Sequence, residues 1–353
     1  MLVKINSSNG LRRNMVEDIE IGGEVIPLGT RQVVNINVGR LYDATGLSIP
    51  VKVIRGTKPG PILFVSGAVH GDEINGVEII RRLVRNKALR NMRGTLLAVP
   101  IVNVYGFNNR SRYFPDRRDL NRSFPGSEKG SLASRVAHVF MEEVVKKSTH
   151  GIDLHTAAMH RTNLPQIRAA LSHGETKKLA LAFGAPVVLN SNLKDGSLRQ
   201  AALDLNIPML LMEGGEALRF DDTTIKLGVR GVLQVMTEIE MLPPYPRSHK
   251  TAKSTYVASS SYWIRASSAG IVKSHQSLGA LVKKGDLIAT ISDPMAKEKH
   301  HVLVPHEGVV IGQTTLPLVN QGDAMYHIAT FGDAKAGAEK LDPYELTDWA
   351  YYF

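Results

Sequence analysis

His70 and Glu73, in the stretch Val65-Ser66-Gly67-Ala68-Val69-His70-Gly71-Asp72-Glu73, place an imidazole and a carboxylate close enough along the chain to reach one ion. Neutral imidazole and carboxylate oxygen are donors that suit zinc. A further histidine, His155, closes the short apolar run Gly151-Ile152-Asp153-Leu154. The three together form a two-histidine, one-carboxylate set that leaves a zinc position open to water, the pattern of a catalytic rather than a structural site. Asp153 lies two residues before His155, so on a strand it shares that face and could accept a hydrogen bond from a ligand imidazole. His-x-x-Glu alone is short enough to arise by chance, so the assignment rests on where these residues fall. The chain has no cysteine, which leaves histidine and carboxylate to hold any metal.

The elements that must position them can be read from the apolar pattern. Pro61-Ile62-Leu63-Phe64-Val65 reads as a buried strand that ends in small residues, where the backbone can turn sharply. His70 and Glu73 then sit at its carboxyl end, with a helix expected from Glu73 to Leu89. Ligands of open α/β sheets gather just there, and a parallel neighbour ending in His155 would bring the three side chains to one edge. From Val51 onward strands and helices alternate. Strands are expected at Thr95 to Val102, Ile152 to His155, Gln166 to Leu171, Val187 to Leu189 and Met209 to Met212. Helices are expected at Leu132 to Lys147, Thr176 to Phe183, Leu198 to Leu205 and Asp221 to Glu240. That order predicts an α/β fold, a mainly parallel mixed sheet flanked by helices. Before it, short alternating runs such as Gln32 to Val38 read as strands packing on the sheet. Pro243-Pro244-Tyr245-Pro246 stops the last helix. The expected division is residues 1–50, a catalytic domain over 51–245, and a β-rich domain over 246–353.

Four motifs in order, His70-Gly71-Asp72-Glu73 after a strand, Asp119-Leu120-Asn121-Arg122, Asp153-Leu154-His155 and Glu213-Gly214-Gly215, resemble the succinylglutamate desuccinylase and aspartoacylase family, relatives of the zinc carboxypeptidases. The likeness runs from about Val51 to Ile239. It implies a zinc-carboxypeptidase-like fold and one zinc per chain on His70, Glu73 and His155. It further implies that Glu213, at the end of the strand Pro208 to Met212, is the base that takes a proton from water and hands it to the leaving amine. Glu216 is near enough in sequence to rival it. In the long, Arg-rich loop Asn103 to Gly126, Arg112 matches the arginine that polarises the scissile carbonyl, with Arg110 as its rival. Asn121 and Arg122 match the pair that holds the substrate carboxylate, a task for which guanidinium offers a fixed fork of donors. Asp119 is expected to orient its arginine neighbours. Arg199, on the helix before Glu213, could contact an acidic acyl group or lie on the helix surface. The aromatic and proline residues of the loop argue for order rather than disorder.

Past the proline break the chain becomes strand- and turn-rich, and two stretches echo each other. Ala269-Gly270-Ile271-Val272 with Val282 to Ile288 is followed by Glu307-Gly308-Val309-Val310 with Val319 to Met325. This repeat resembles the barrel-sandwich of lipoyl and biotinyl carrier domains. Carriers bear a modified lysine in a Met-Lys-Met turn, whereas the turn here reads Asp293-Pro294-Met295-Ala296-Lys297-Glu298-Lys299, so Lys297 is not expected to carry a prosthetic group. A lid or assembly role is expected instead. The aromatic tail Trp349-Ala350-Tyr351-Tyr352-Phe353 is suited to docking on something.

With 353 residues and 43% hydrophobic content the chain can bury a large core. The start, Met1 to Ser8, has no apolar signal region and no stretch has the length of a membrane span, so a cytoplasmic protein without membrane contact is expected. The formal net charge of +10 is spread widely, with one concentration at Arg110, Arg112, Arg117, Arg118 and Arg122, and no nucleic-acid motif accompanies it. Such a charge could serve nucleic acid, a membrane surface or an acidic small substrate, but a solvated basic surface is the expected reading of most of it, and nucleic-acid binding is not expected. The reading is a zinc-dependent hydrolase that removes an acyl group from an N-acyl amino acid or similar small amide. A metallocarboxypeptidase or esterase is its nearest alternative, and a non-catalytic binding or carrier protein is the rival from another class. The acyl group and any homo-oligomeric assembly are left open.

Overall fold

The computed structural model describes residues 18–244 and 255–331. The start of the chain, the boundary at Tyr245-Pro246 and the aromatic tail lie outside the described residues. A hairpin, β1 (Ile19–Ile21) and β2 (Glu24–Ile26), leads into the long antiparallel pair β3 (Arg31–Arg40) and β4 (Gly46–Arg55). Alternation along β3 turns Val34 and Ile36 inward and leaves Val33 more than half exposed, as a strand with one solvated face requires. Then come β5 (Ile62–Gly67), α1 (Asn75–Leu83), β6 (Thr95–Val99), α2 (Val104–Asn108), α3 (Leu132–Phe140), β7 (His150–Ala157), β8 (Arg161–Ala169), α4 (Gly174–Phe183), β9 (Val187–Asn190), α5 (Leu198–Asp204), β10 (Met209–Glu216) and α6 (Asp222–Glu238). Among the described residues no helix is long and apolar enough to cross a membrane.

The centre of the sheet is parallel, in the order β6, β5, β7, β10, with β4 antiparallel at one side and β8 antiparallel at the other. This is the mixed α/β architecture expected from the alternation. Its central strands are covered on both faces. Phe64 belongs to the core beneath α3, where its ring meets Phe140 edge-on at 6.0 Å, while Leu63 and Val65 belong to the core shared with α1, α4 and α6. Burial on both sides explains the unbroken apolar run. The helix expected over Glu73 to Leu89 is shorter. It ends at Leu83, and a separate turn of 3-10 helix over Lys87–Asn91 begins where the Asn86 side chain accepts a hydrogen bond from the Ala88 amide. A side-chain acceptor of that kind competes with helix continuation.

The later strands are β11 (Tyr256–Ala258), β12 (Ser260–Arg265), β13 (Gly270–Ser274), β14 (Leu281–Val282), β15 (Leu287–Ser292), β16 (Lys299–Leu303), β17 (Gly308–Thr314), β18 (Leu318–Val319) and β19 (Ala324–Thr330). Strands β13, β15, β16 and β18 form a small sheet, and β12, β14, β17 and β19 face it across a core that includes Ile264, Ile288, Ile291, Val310 and Ile328. The second group is continuous with the main sheet. The outer edge of β8 is shared: Gln166–Ala169 pair with β9 and Arg161–Asn163 pair with β17. Lys297 is exposed in the turn between β15 and β16.

On β19, His327 is buried, stacks on Trp263 with ring centroids 4.4 Å apart, and has an Nδ1 with no hydrogen-bond partner. Burial, with the charge of Arg168 adding to it, pushes this imidazole down to about 3. Because the folded value lies below the unfolded one, the unfolded chain takes up the proton first as pH falls. The stability tied to His327 is therefore complete above about pH 6.5 and is lost progressively toward pH 3, on the order of 5 kcal/mol in full. His327→Phe, which keeps the stack, should flatten this part of the acid limb of Tm against pH relative to the parent chain. A variant curve parallel to the parent's would show that His327 is not the group concerned.

Candidate metal and catalytic site

The site is built where the central strands end. After β5 the chain turns through His70 to Glu73 before α1 begins, and the turn is pressed against the α2 segment. A Cβ at Gly71 would lie 2.0 Å from the Gly106 carbonyl carbon, so only glycine allows this approach. On β7, His155 stands in register with Glu213 of β10, and Asp153 with Ser66 of β5 and Leu211 of β10. Parallel pairing of these strands thus brings residues from three parts of the sequence to one place. Asn75, fully buried at the start of α1, ties the assembly from behind: its Nδ2 donates to the Gly214 carbonyl at 3.2 Å and its Oδ1 accepts from the Asp221 amide at 3.0 Å.

His70, Glu73 and His155 are all buried, with one ligand atom from each within 4.8 Å of the others. His70 Nδ1 lies 2.7 Å from Glu73 Oε1, His155 Nδ1 lies 2.8 Å from Glu73 Oε2, and the two Nδ1 atoms are 3.2 Å apart. The outer nitrogens are occupied. His155 Nε2 is 2.6 Å from Asp153 Oδ2, and His70 Nε2 is 3.1 Å from Asp119 Oδ1. An imidazole that donates Nε2–H to a carboxylate has its lone pair on Nδ1, so two lone pairs and a carboxylate converge on the same space. Such a set repels itself unless a cation lies among its members, and its chemistry fits zinc.

The electrostatics agree. Burial works against a charge on His155, yet Asp153 and Glu73 outweigh it and raise the imidazole well above its ordinary value. Burial likewise opposes ionisation of Glu73, but His70 and His155 hold the carboxyl far below the usual carboxylate range. The surroundings that would retain a proton here would also retain a metal cation. Glu73 is further fixed by the Thr156 amide at 3.0 Å, and Asp153 by the Ser66 hydroxyl at 2.8 Å.

The Asn103 to Gly126 loop is ordered by its aromatic residues: Tyr105 meets Phe114 at 5.6 Å and Phe124 meets Phe140 at 6.3 Å. It brings Arg112 to the site, where the guanidinium bridges Glu73 Oε1 at 3.0 Å and Asp119 Oδ2 at 3.2 Å. Arg110 has no such contact and lies on the exposed side of the loop. Asp119 therefore holds both His70 and Arg112, more than the arginine-orienting task expected of it. Its Oδ1 also accepts the Asn121 amide at 2.8 Å. Asn121 in turn accepts from the Leu198 amide through Oδ1 at 3.0 Å, which turns its Nδ2 the other way. The Arg122 guanidinium donates to the Asn121 carbonyl.

Glu213 is partly buried, with Oε2 accepting from Asn163 Nδ2 at 2.9 Å and Oε1 3.8 Å from Arg168 Nε. Glu216 is engaged elsewhere, by the His160 amide at 2.9 Å, the Thr315 hydroxyl and Arg219. Arg199 is buried and donates to Ser191 and to the Asn192 carbonyl, so its guanidinium braces the loop after β9. Burial, reinforced by Arg168, pushes it down to about 10. Asn163 and Arg168 have no signal in the sequence, since both lie inside a strand with no motif around them.

Residues 59–239 match the family described as Succinylglutamate desuccinylase/Aspartoacylase catalytic domain. A curated relative, the N-alpha-acetyl-L-2,4-diaminobutyric acid deacetylase of Halomonas elongata, is 27% identical over 304 residues, 80% of this chain and 85% of its own. Among solved structures, a succinylglutamate desuccinylase/aspartoacylase from Rhodobacter sphaeroides superposes with a TM-score of 0.76 at 22% identity, covering 88% of this chain and 98% of that one. The product-bound ectoine utilization protein EutE from Ruegeria pomeroyi gives 0.75 at 23% identity over 86% and 97%. These likenesses establish the fold.

Proposed function

Since the chain belongs to the succinylglutamate desuccinylase/aspartoacylase family, we propose that it is a zinc-dependent deacylase that hydrolyses the amide of an N-acyl amino acid or a similar small molecule. The observation that carries this reading is the convergence of His70 Nδ1, His155 Nδ1 and Glu73, each histidine anchored from behind by a carboxylate, within a site that also gathers Arg112. The name of the Halomonas relative supports the amide of an N-acyl amino acid as the bond broken.

His70, Glu73 and His155 would hold the metal, which when bound supplies a Lewis acid for the carbonyl and for water. Glu213 takes a proton from the attacking water as the carbon–oxygen bond forms, and delivers it to the amine nitrogen as the carbon–nitrogen bond breaks. Arg112 donates to the oxygen on which negative charge develops, and Asp119 keeps its guanidinium in place. Asn121 and Arg122 anchor the substrate carboxylate. Arg199 braces the Ser191–Asn192 loop. The small β-sandwich after residue 255, lipoyl-like in its internal repeat, is read as a support of the site and not as a carrier.

The test is metal analysis of the purified protein followed by amine release from N-acetyl, N-succinyl and other N-acyl amino acids. About one zinc per chain is expected, with turnover lost on chelation and recovered on adding zinc. Full turnover by metal-free protein would overturn the reading.

A further inference from the structure

Among the described residues the Asn163 amide is the hydrogen-bond donor to Glu213, and the way it arrives there involves the C-terminal strands. Between β10 and β8 the register passes from Glu213 opposite Gln166 to Gly215 opposite Asn163, two residues on one strand against three on the other. The extra residue is a bulge, a device that re-aims a side chain, and here it accompanies an Asn163 whose Nδ2 reaches Glu213 Oε2 at 2.9 Å. On its other edge β8 pairs with β17, with Gly312 opposite Asn163, and Gly312 is in turn opposite His327 of β19. A Cβ at Gly312 would lie 2.8 Å from Asn163 Oδ1 and 3.2 Å from His327 Cβ. The space that the Asn163 amide occupies is therefore left by a glycine lying beyond residues 59–239. Gln166 fixes the same junction by donating to the Ile311 carbonyl at 3.1 Å.

We propose that Asn163 is a positioning residue for Glu213, and that Gly312 on β17 sets its pose, so that the C-terminal strands hold the proton-transfer carboxylate in place. The inference rests on the reading of Glu213 as the base. A carboxylate that must accept and return a proton needs one fixed orientation. A neutral amide on Oε2 supplies it while leaving Oε1 to accept the proton. Arg168 Nε, 3.8 Å from Oε1, stands beyond hydrogen-bond distance and so does not occupy that oxygen.

The experiment compares Asn163→Ala, the isosteric Asn163→Asp and Gly312→Val with Glu213→Gln, all as full-length protein with metal content measured. A hydrogen bond to a charged group is worth enough that Asn163→Ala should lower kcat by about 10- to 100-fold, with KM within about twofold and metal unchanged. Asn163→Asp keeps the shape but loses the donor, and should lose at least as much kcat, whereas a role in packing alone predicts near-normal turnover. Gly312→Val should lower kcat in the parent chain yet add little in an Asn163→Ala background, because its effect runs through the amide. If Glu213→Gln is inactive while the Asn163 variants keep normal kcat, the positioning role is overturned and the base stands. If Glu213→Gln itself turns over normally, the base reading fails and the positioning role falls with it.

Discussion

Glu213→Gln is expected to retain zinc and substrate affinity and to turn over roughly two to four orders of magnitude more slowly, the usual contribution of a placed proton-transfer group. The substitution is close to isosteric, and the hydrogen bond from Asn163 Nδ2 to Oε2 at 2.9 Å can survive if the glutamine oxygen takes that position. Its NH2 would then stand where Oε1 faces Arg168 Nε at 3.8 Å, and no basic oxygen remains to take the proton of the attacking water. Because the hydrogen bond and ion pair of the Glu213 carboxylate go to Asn163 and Arg168 rather than to the metal-holding residues, metal content should be unaffected. The measurement is kcat and KM on the best substrate of the amine-release screen, with zinc determined on the same samples. Near-normal kcat would remove Glu213 from the mechanism. Glu216 would be a poor replacement, since the His160 amide, Thr315 and Arg219 already engage its carboxylate.

The two kinds of residue at this site differ in how far the sequence exposes them. His70, Glu73 and His155 stand at ends of apolar runs, where side-chain type and element boundary coincide, so pattern alone brings them together once the strands are taken as parallel neighbours. The alternation that yields the mixed sheet is a local property, and most strands and helices lie within a few residues of where apolar spacing puts them. The Glu73 to Leu89 helix is the exception, because Asn86 is as able to cap a turn as to continue a helix. Asn163 and Arg168 depend instead on which strand lies beside β10 and on a bulge in that pairing, both consequences of chain segments far apart in sequence. The same holds for Gly312, whose lack of a side chain matters only because β17 lies against β8. Arg199 shows the limit from the other side: a helix arginine near a strand of catalytic residues could face the pocket or its supports, and only the positions of Ser191 and Asn192 decide.

His155→Ala should abolish stoichiometric zinc and with it nearly all turnover, while leaving a folded chain. The imidazole is one of three donors, and the two that remain, His70 and Glu73, come from one turn of the chain and leave the β7 side of the set open. The loss should be deeper than simple removal of a ligand, because Asp153 is then left buried with only the Ser66 hydroxyl at 2.8 Å. Asp153→Asn separates the two effects. It keeps His155 but replaces the acceptor on Nε2 with an amide, which weakens the hold on the ring and the basicity of Nδ1, and a loss of about 10- to 100-fold in zinc affinity or activity is expected. Zinc titration of both variants with a competing chelator, alongside kcat at saturating zinc, is the measurement. Asp153→Asn activity should recover at high zinc and His155→Ala activity should not. Full zinc retention by His155→Ala would dismiss His155 as a ligand and require another donor to complete the set with His70 and Glu73.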